Sequence, residues 1–141
     1  MRAGASKPDI GTLDALRNTL LQARSITFPA STTGIFLKEK LFPRLGIERE
    51  MTAKSSNVGV AAVASGEADL AIQPESELLH APGTDFAGTL PAQAQFISVF
   101  SAALVAGSTN QAAARQLIAF LASDKAGAAM RNSGMVPVGA H

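Results

Sequence analysis

Ser25-Ile26-Thr27-Phe28-Pro29-Ala30-Ser31-Thr32-Thr33-Gly34 reads as a short apolar run, a proline stop, small hydroxyl residues and then a helical pattern. The design recurs where residues 51–54 lead into Ser55-Ser56-Asn57, and again where residues 69–72 lead into 73–76. Consecutive strand-to-helix units of this kind predict an α/β fold, a three-layer sandwich around a mostly parallel sheet. Parallel strands end at one sheet edge, so the three junctions are expected to open on one crevice. Helix N-termini there offer unbonded N–H groups and the positive end of the helix dipole. Such a crevice suits a small anion or polar solute better than covalent chemistry.

Outward from this core, Thr12 is a plausible N-cap for a helix over 13–23, with Leu13, Leu16, Leu20 and Leu21 at helical spacing. A second helix is expected over 34–45, burying Ile35, Phe36, Leu41 and Phe42. Pro43 weakens its last turn and Gly46 stops it. A helix of small residues is expected over 58–65, one helical turn over 75–79 and a short extended segment over 85–90. Residues 95–105, rich in Phe, Val and Ile, read as one long strand or two collinear ones. Helices over 111–121 and 125–132 follow, the first with Ala112, Leu117, Ile118 and Leu121 facing inward, and the chain ends in an extended 135–138.

Composition excludes several classes. The 141 residues, 47% of them hydrophobic, are enough for one core. A net charge of +1 leaves no electrostatic footprint for nucleic acid. No window holds the ~18 uninterrupted apolar residues of a membrane span. Cysteine is absent, which removes disulfides, zinc-thiolate sites and thiol nucleophiles. The start of the chain has no apolar stretch after Arg2, so it is not a secretory signal, and as a complete product the chain would stay in the cytoplasm.

Catalytic constellations are sparse. His80 and His141 are the only histidines and neither has metal-ligand spacing to a partner. Ser76, His80 and Asp85 could be written as a triad, but there is no G-x-S-x-G elbow. No Walker loop or G-x-G-x-x-G occurs, and no cofactor is implied. Lys38, Lys40, Arg44 and Arg49 alternate with Glu39, Glu48 and Glu50, as on a solvated face. Glu75 and Glu77 beside the third junction would oppose an oxyanion and are expected to face solvent or pair with a lysine. An enzyme is thus the class least expected. Each Ser, Thr or Asn at a junction is individually an ordinary N-cap, stabilising by ~1 kcal/mol; their convergence is what suggests a site.

The order of segments resembles a known family. Lys7-Pro8-Asp9-Ile10-Gly11-Thr12-Leu13-Asp14-Ala15-Leu16 and Ala23-Arg24-Ser25-Ile26-Thr27-Phe28 look like the second lobe of extracytoplasmic solute-binding proteins of the molybdate-binding type. So do Ala62-Val63-Ala64-Ser65-Gly66-Glu67-Ala68-Asp69-Leu70-Ala71-Ile72-Gln73 and Phe100-Ser101-Ala102-Ala103-Leu104-Val105-Ala106-Gly107-Ser108. The resemblance implies a type II periplasmic-binding-protein lobe and the receptor of an ABC importer, extracytoplasmic, with a permease as partner. It divides the chain into a second-lobe core (10–92), a crossover strand (93–107) and a C-terminal helical segment (108–141) that returns to a first lobe missing here. It places ligand contacts near Ala30, Ser31, Thr32 and Thr33, at Val58, and near Gln73 and Pro74, and Asn57 at the next helix start is a further candidate donor. Molybdate binders commonly carry a Tyr hydroxyl near the position of Pro74, and proline has neither a side-chain donor nor an N–H. The chain departs there from the molybdate pattern, and a subgroup with Gln at position 73 matches better. The alternatives are a self-associating module, a homodimer formed by exchange of the Phe96, Phe100 and C-terminal segments, and a ligand-sensing domain of the kind fused to DNA-binding proteins, which would need a helix-turn-helix absent here.

Overall fold

A computed structural model describes residues 1–138. It divides into two compact units, Met1–Ile97 and the residues from Ser98 onward.

In the first unit, α1 (Leu13–Gln22) starts at Thr12, whose hydroxyl accepts the Ala15 N–H at 3.1 Å, and buries Leu16 and Leu20. It leads to β1 (Ile26–Thr27). A continuous helical run follows: α2 (Thr32–Phe36), a π-helical turn (Leu37–Leu41) and α3 (Phe42–Leu45). The wide turn sits just ahead of Pro43, which lacks the N–H an α-turn would use. Gly46 closes the run at φ +64°. Leu37, Leu41 and Phe42 face the core, while Ile35, expected inside, is 55% exposed.

Next come α4 (Glu48–Lys54), β2 (Ser55–Ser56), α5 (Ala61–Ser65), β3 (Leu70–Ala71) and α6 (Glu75–Leu78). Residues 51–54, expected to be extended, are therefore helical. Met51 is 1% exposed and anchors the helix to the core beside Ile47, while Glu48, Arg49 and Glu50 stay in water.

The sheet is parallel throughout, in the order β2-β1-β3. Ile26 pairs with Ser55 and Leu70, and Thr27 with Ser56 and Ala71. Strand alternation sends Ile26 and Phe28 into the larger core with Leu16, Leu20, Leu41 and Met51, and Leu70 and Ile72 pack against it. Ala71 points to the other face and packs on Ala62, Val63 and Ala68. Helices thus cover both faces of the sheet, giving the expected three layers.

One ion pair fastens the start of this sheet. The Arg24 guanidinium meets Asp69 at 2.7 Å, and the Arg24 backbone N–H donates to the same carboxylate at 2.8 Å. The guanidinium hydrogen bond, followed by the backbone one, holds the Asp69 carboxyl below the ordinary carboxylate range. A pKa depressed in the fold contributes stability that is present above the unfolded value of about 3.9 and is lost as pH falls through the lower folded value. Asp69→Asn should therefore flatten the acid limb of stability below about pH 4. Thermal melts at neutral pH and in acid check this; an acid limb as steep as in the parent would contradict it.

Two expected extended segments form no ladder. Among the described residues, 95–105 pairs with no strand, and Ile97, Val99, Phe100 and Val105 are exposed. Residues 85–90 likewise lie outside the sheet, with only an isolated antiparallel bridge from Arg2 to the neighbouring Thr84. β-type composition makes a strand only where an edge offers backbone partners.

In the second unit, α7 (Gln111–Leu121) and α8 (Asp124–Asn132) lie where helices were expected and pack on each other. The inward face expected for α7 is not buried: Leu117 is 58% and Leu121 40% exposed, and Ala112 is exposed. No residue of α7 is buried, so its apolar stripe lacks the cover that such spacing normally receives.

Candidate functional site

The strands end together at Thr27, Ser56 and Ala71, so the three junctions open at one edge of the sheet, with the first in the middle. Backbone bonds carry the ladder into the loops: Phe28 N–H donates to Ser56 O at 3.1 Å and Ile72 N–H to Thr27 O at 3.0 Å.

The first loop, from Pro29 to Ser31, turns sharply into α2. Gly34 makes that turn possible: a Cβ there would lie 2.2 Å from the Pro29 carbonyl oxygen. Ala30, Ser31 and Thr32 are exposed and Thr33 is half-buried. Ser31 holds the N-cap position without a side-chain capping bond, and its carbonyl accepts Ile35 N–H at 3.0 Å. The second loop contains Asn57 and Val58, both exposed. Because α5 begins only at Ala61, these two residues precede the helix rather than opening it. The third loop carries Gln73 and Pro74, half-buried, with Pro74 as the N-cap of α6.

None of the three junction helices has a side-chain cap, in contrast to α1 with Thr12. Helices α7 and α8 also start without one. At the sheet edge the N-cap residues are Ser31, Val60 and Pro74, and of these Ser31 alone carries a side chain able to cap.

The edge is neutral but for one group: Glu75 is the only titratable side chain in residues 28–33, 57–60 and 72–76, and it is half-buried. Glu77, one helical step on, is exposed. Asp85, one member of the triad written from the sequence, accepts the Gly4 N–H on its Oδ2 at 2.8 Å. No group of three metal-ligating side chains occurs among the described residues, and none of their helices is long and apolar enough to cross a membrane. A cavity of about 280 Å³ lies at the other end of the strands, lined by Arg2, Ser6, Arg24, Val63 and Asp69, away from the junctions.

Two residues of this edge lie outside the sequence expectations. In the sequence Gly34 reads only as the start of a helix, although Pro29, five positions before it, hints at a cramped turn. Thr27 is completely buried and its hydroxyl accepts the Gly59 N–H at 3.2 Å. Its signal was a lone hydroxyl between Ile26 and Phe28.

The bacterial extracellular solute-binding protein family matches residues 1–136. The chain belongs to this family. Its members' description implies a small-molecule ligand. An aconitate isomerase from a Pseudomonas species is 41% identical over 98% of this chain. The chain spans about half of that relative, 54% of its length. No solved structure matches. The enzyme-named relative overturns the expectation that a chain of this kind is not an enzyme.

Proposed function

We propose that this solute-binding chain forms one wall of a cleft that holds a small polycarboxylate of the aconitate type for isomerisation. The observation that carries this reading is the convergence of three parallel strand ends, with loops rich in hydroxyls, amides and N–H groups, in a chain akin to an aconitate isomerase. Ser31, Thr32 and Thr33 would donate hydroxyl and N–H hydrogen bonds to one carboxylate, with the Ala30 backbone beside them. Asn57 and the Val58 N–H would serve a second, and the Gln73 amide would orient the third. Pro74 shapes the third loop without donating.

Isomerisation of aconitate is redox-neutral. A base removes a proton from the methylene carbon, the electron pair shifts through the double bond onto a carboxylate, and the proton returns at the far alkene carbon. Donors aimed at that carboxylate stabilise the charge it gains. Glu75, the titratable residue next to Gln73-Pro74 in the chain, would move the proton.

Titration of the isotopically labelled chain with tricarballylate, trans-aconitate, molybdate, tungstate and sulfate tests this. The tricarboxylates should shift the amides of Ser31, Thr32, Thr33, Asn57, Val58 and Gln73, weakly because one wall supplies only part of the donors. A response to molybdate alone, or tricarboxylate shifts elsewhere, would sink the proposal.

The family match favours a second reading, a receptor for an ABC importer working outside the cytoplasm with a permease and taking an oxyanion. In either reading residues 10–92 are the lobe core, 93–107 cross over and 108–141 return to a first lobe. The exposed Val99, Phe100, Leu117 and Phe120 support that division, and equally a homodimer in which these segments are exchanged.

A further inference from the structure

We infer that Thr27 is the positioning residue that holds the three ligand loops in one arrangement. The inference rests on the reading of the junctions as a carboxylate site. Thr27 is fully buried and sits at the end of the central strand, and each of its groups serves a different loop. Its chain continues directly into the Pro29–Ser31 turn. Its carbonyl accepts Ile72 N–H at 3.0 Å, immediately before Gln73. Its hydroxyl accepts Gly59 N–H at 3.2 Å, immediately after Val58.

The last bond sets the second loop. Gly59 has φ +88°, in the left-handed region, and its would-be Cβ faces open space, so conformation and not room demands glycine. With its N–H turned inward to Thr27, its carbonyl accepts Ala62 N–H at 3.3 Å in the first turn of α5. Gly59 is thus pinned from both sides, directly after the exposed Asn57 and Val58 at the sheet edge. β2 is only two residues long and provides little further restraint. A hydroxyl in an otherwise apolar strand is costly to bury unless it is bonded. Here its single acceptor bond fixes a loop.

The test compares Thr27→Val, which keeps the shape and removes the acceptor, with Thr27→Ser, which keeps the acceptor. The valine should speed exchange of the Gly59 amide about tenfold or more and weaken tricarballylate binding about tenfold, the scale of one lost buried hydrogen bond. The circular dichroism spectrum should be unchanged, and the serine should restore both properties. Should the valine overpack, Thr27→Ala makes the same cut by truncation. Gly59 exchange and affinity unchanged in the valine or alanine variant would overturn the inference, as would a serine variant as impaired as the valine. Failure of the parent chain to bind tricarballylate would instead refute the carboxylate reading, and Gly59 exchange would still decide for or against Thr27.

Discussion

Gly34→Ala is expected to lower the melting temperature by about 6 °C or more, and to displace the loop that carries Ala30, Ser31, Thr32 and Thr33. The added Cβ would lie 2.2 Å from the Pro29 carbonyl oxygen and 3.3 Å from a ring carbon of Phe28. The first neighbour is backbone and cannot rotate away, so α2 or the Pro29 turn must move. Overpacking of this kind costs about 3 kcal/mol, while alanine regains about 1 kcal/mol of helix propensity over glycine. The net loss of about 2 kcal/mol corresponds to about 6 °C at this chain length. Because Phe28 is 2% exposed, the ring has little space into which to retreat. Gly11→Ala is the control: its Cβ would meet only an Asp9 carboxylate oxygen at 3.5 Å, ordinary contact. A Gly34→Ala chain that melts with the parent and keeps the Ser31 and Thr32 amide shifts would refute this account of the loop.

The close approach behind that prediction is a kind of fact that one-dimensional patterns carry poorly. Hydrophobic spacing is a property of one element, so α1 and α7 were legible nearly to the residue, and so was the Thr12 cap. Alternation of helices with short strands made a parallel sheet and a common edge legible as well. What was not legible depends on partners distant in the chain. Met51 becomes helical because the core beside Ile47 receives it, and the strand moves on to two serines with no strand-like composition. Residues 95–105 have the composition of a strand but pair with none among the described residues. Thr27 looks like a minor interruption of an apolar run until Gly59, 32 positions on, is found to bond its hydroxyl. The loops were placed by pattern, whereas the residues that hold them are visible only in three dimensions.

On the proposed isomerase reading, Glu75→Gln is expected to lower the rate of aconitate isomerisation by about 10²–10⁴ while leaving affinity equal or improved. Glu75 is the first residue of α6, follows Gln73-Pro74 directly and is half-buried. It is the one titratable side chain in residues 28–33, 57–60 and 72–76. Glutamine keeps the shape and the acceptor oxygen but cannot serve as a base, so loss of the proton shuttle is separated from loss of packing. Aconitate is multiply anionic, and removing one negative charge from the crevice reduces repulsion in the bound state. The variant should therefore show a lowered kcat with KM unchanged or reduced, the mark of an interaction made in the transition state alone. The assay is interconversion of the aconitate isomers in heavy water, following deuterium uptake at the methylene carbon, with Glu77→Gln as the exposed control. A kcat within threefold of the parent, or a raised KM at constant kcat, would remove Glu75 from the chemistry. Proton transfer would then have to come from the facing wall of the cleft, leaving to this chain the gripping of carboxylates.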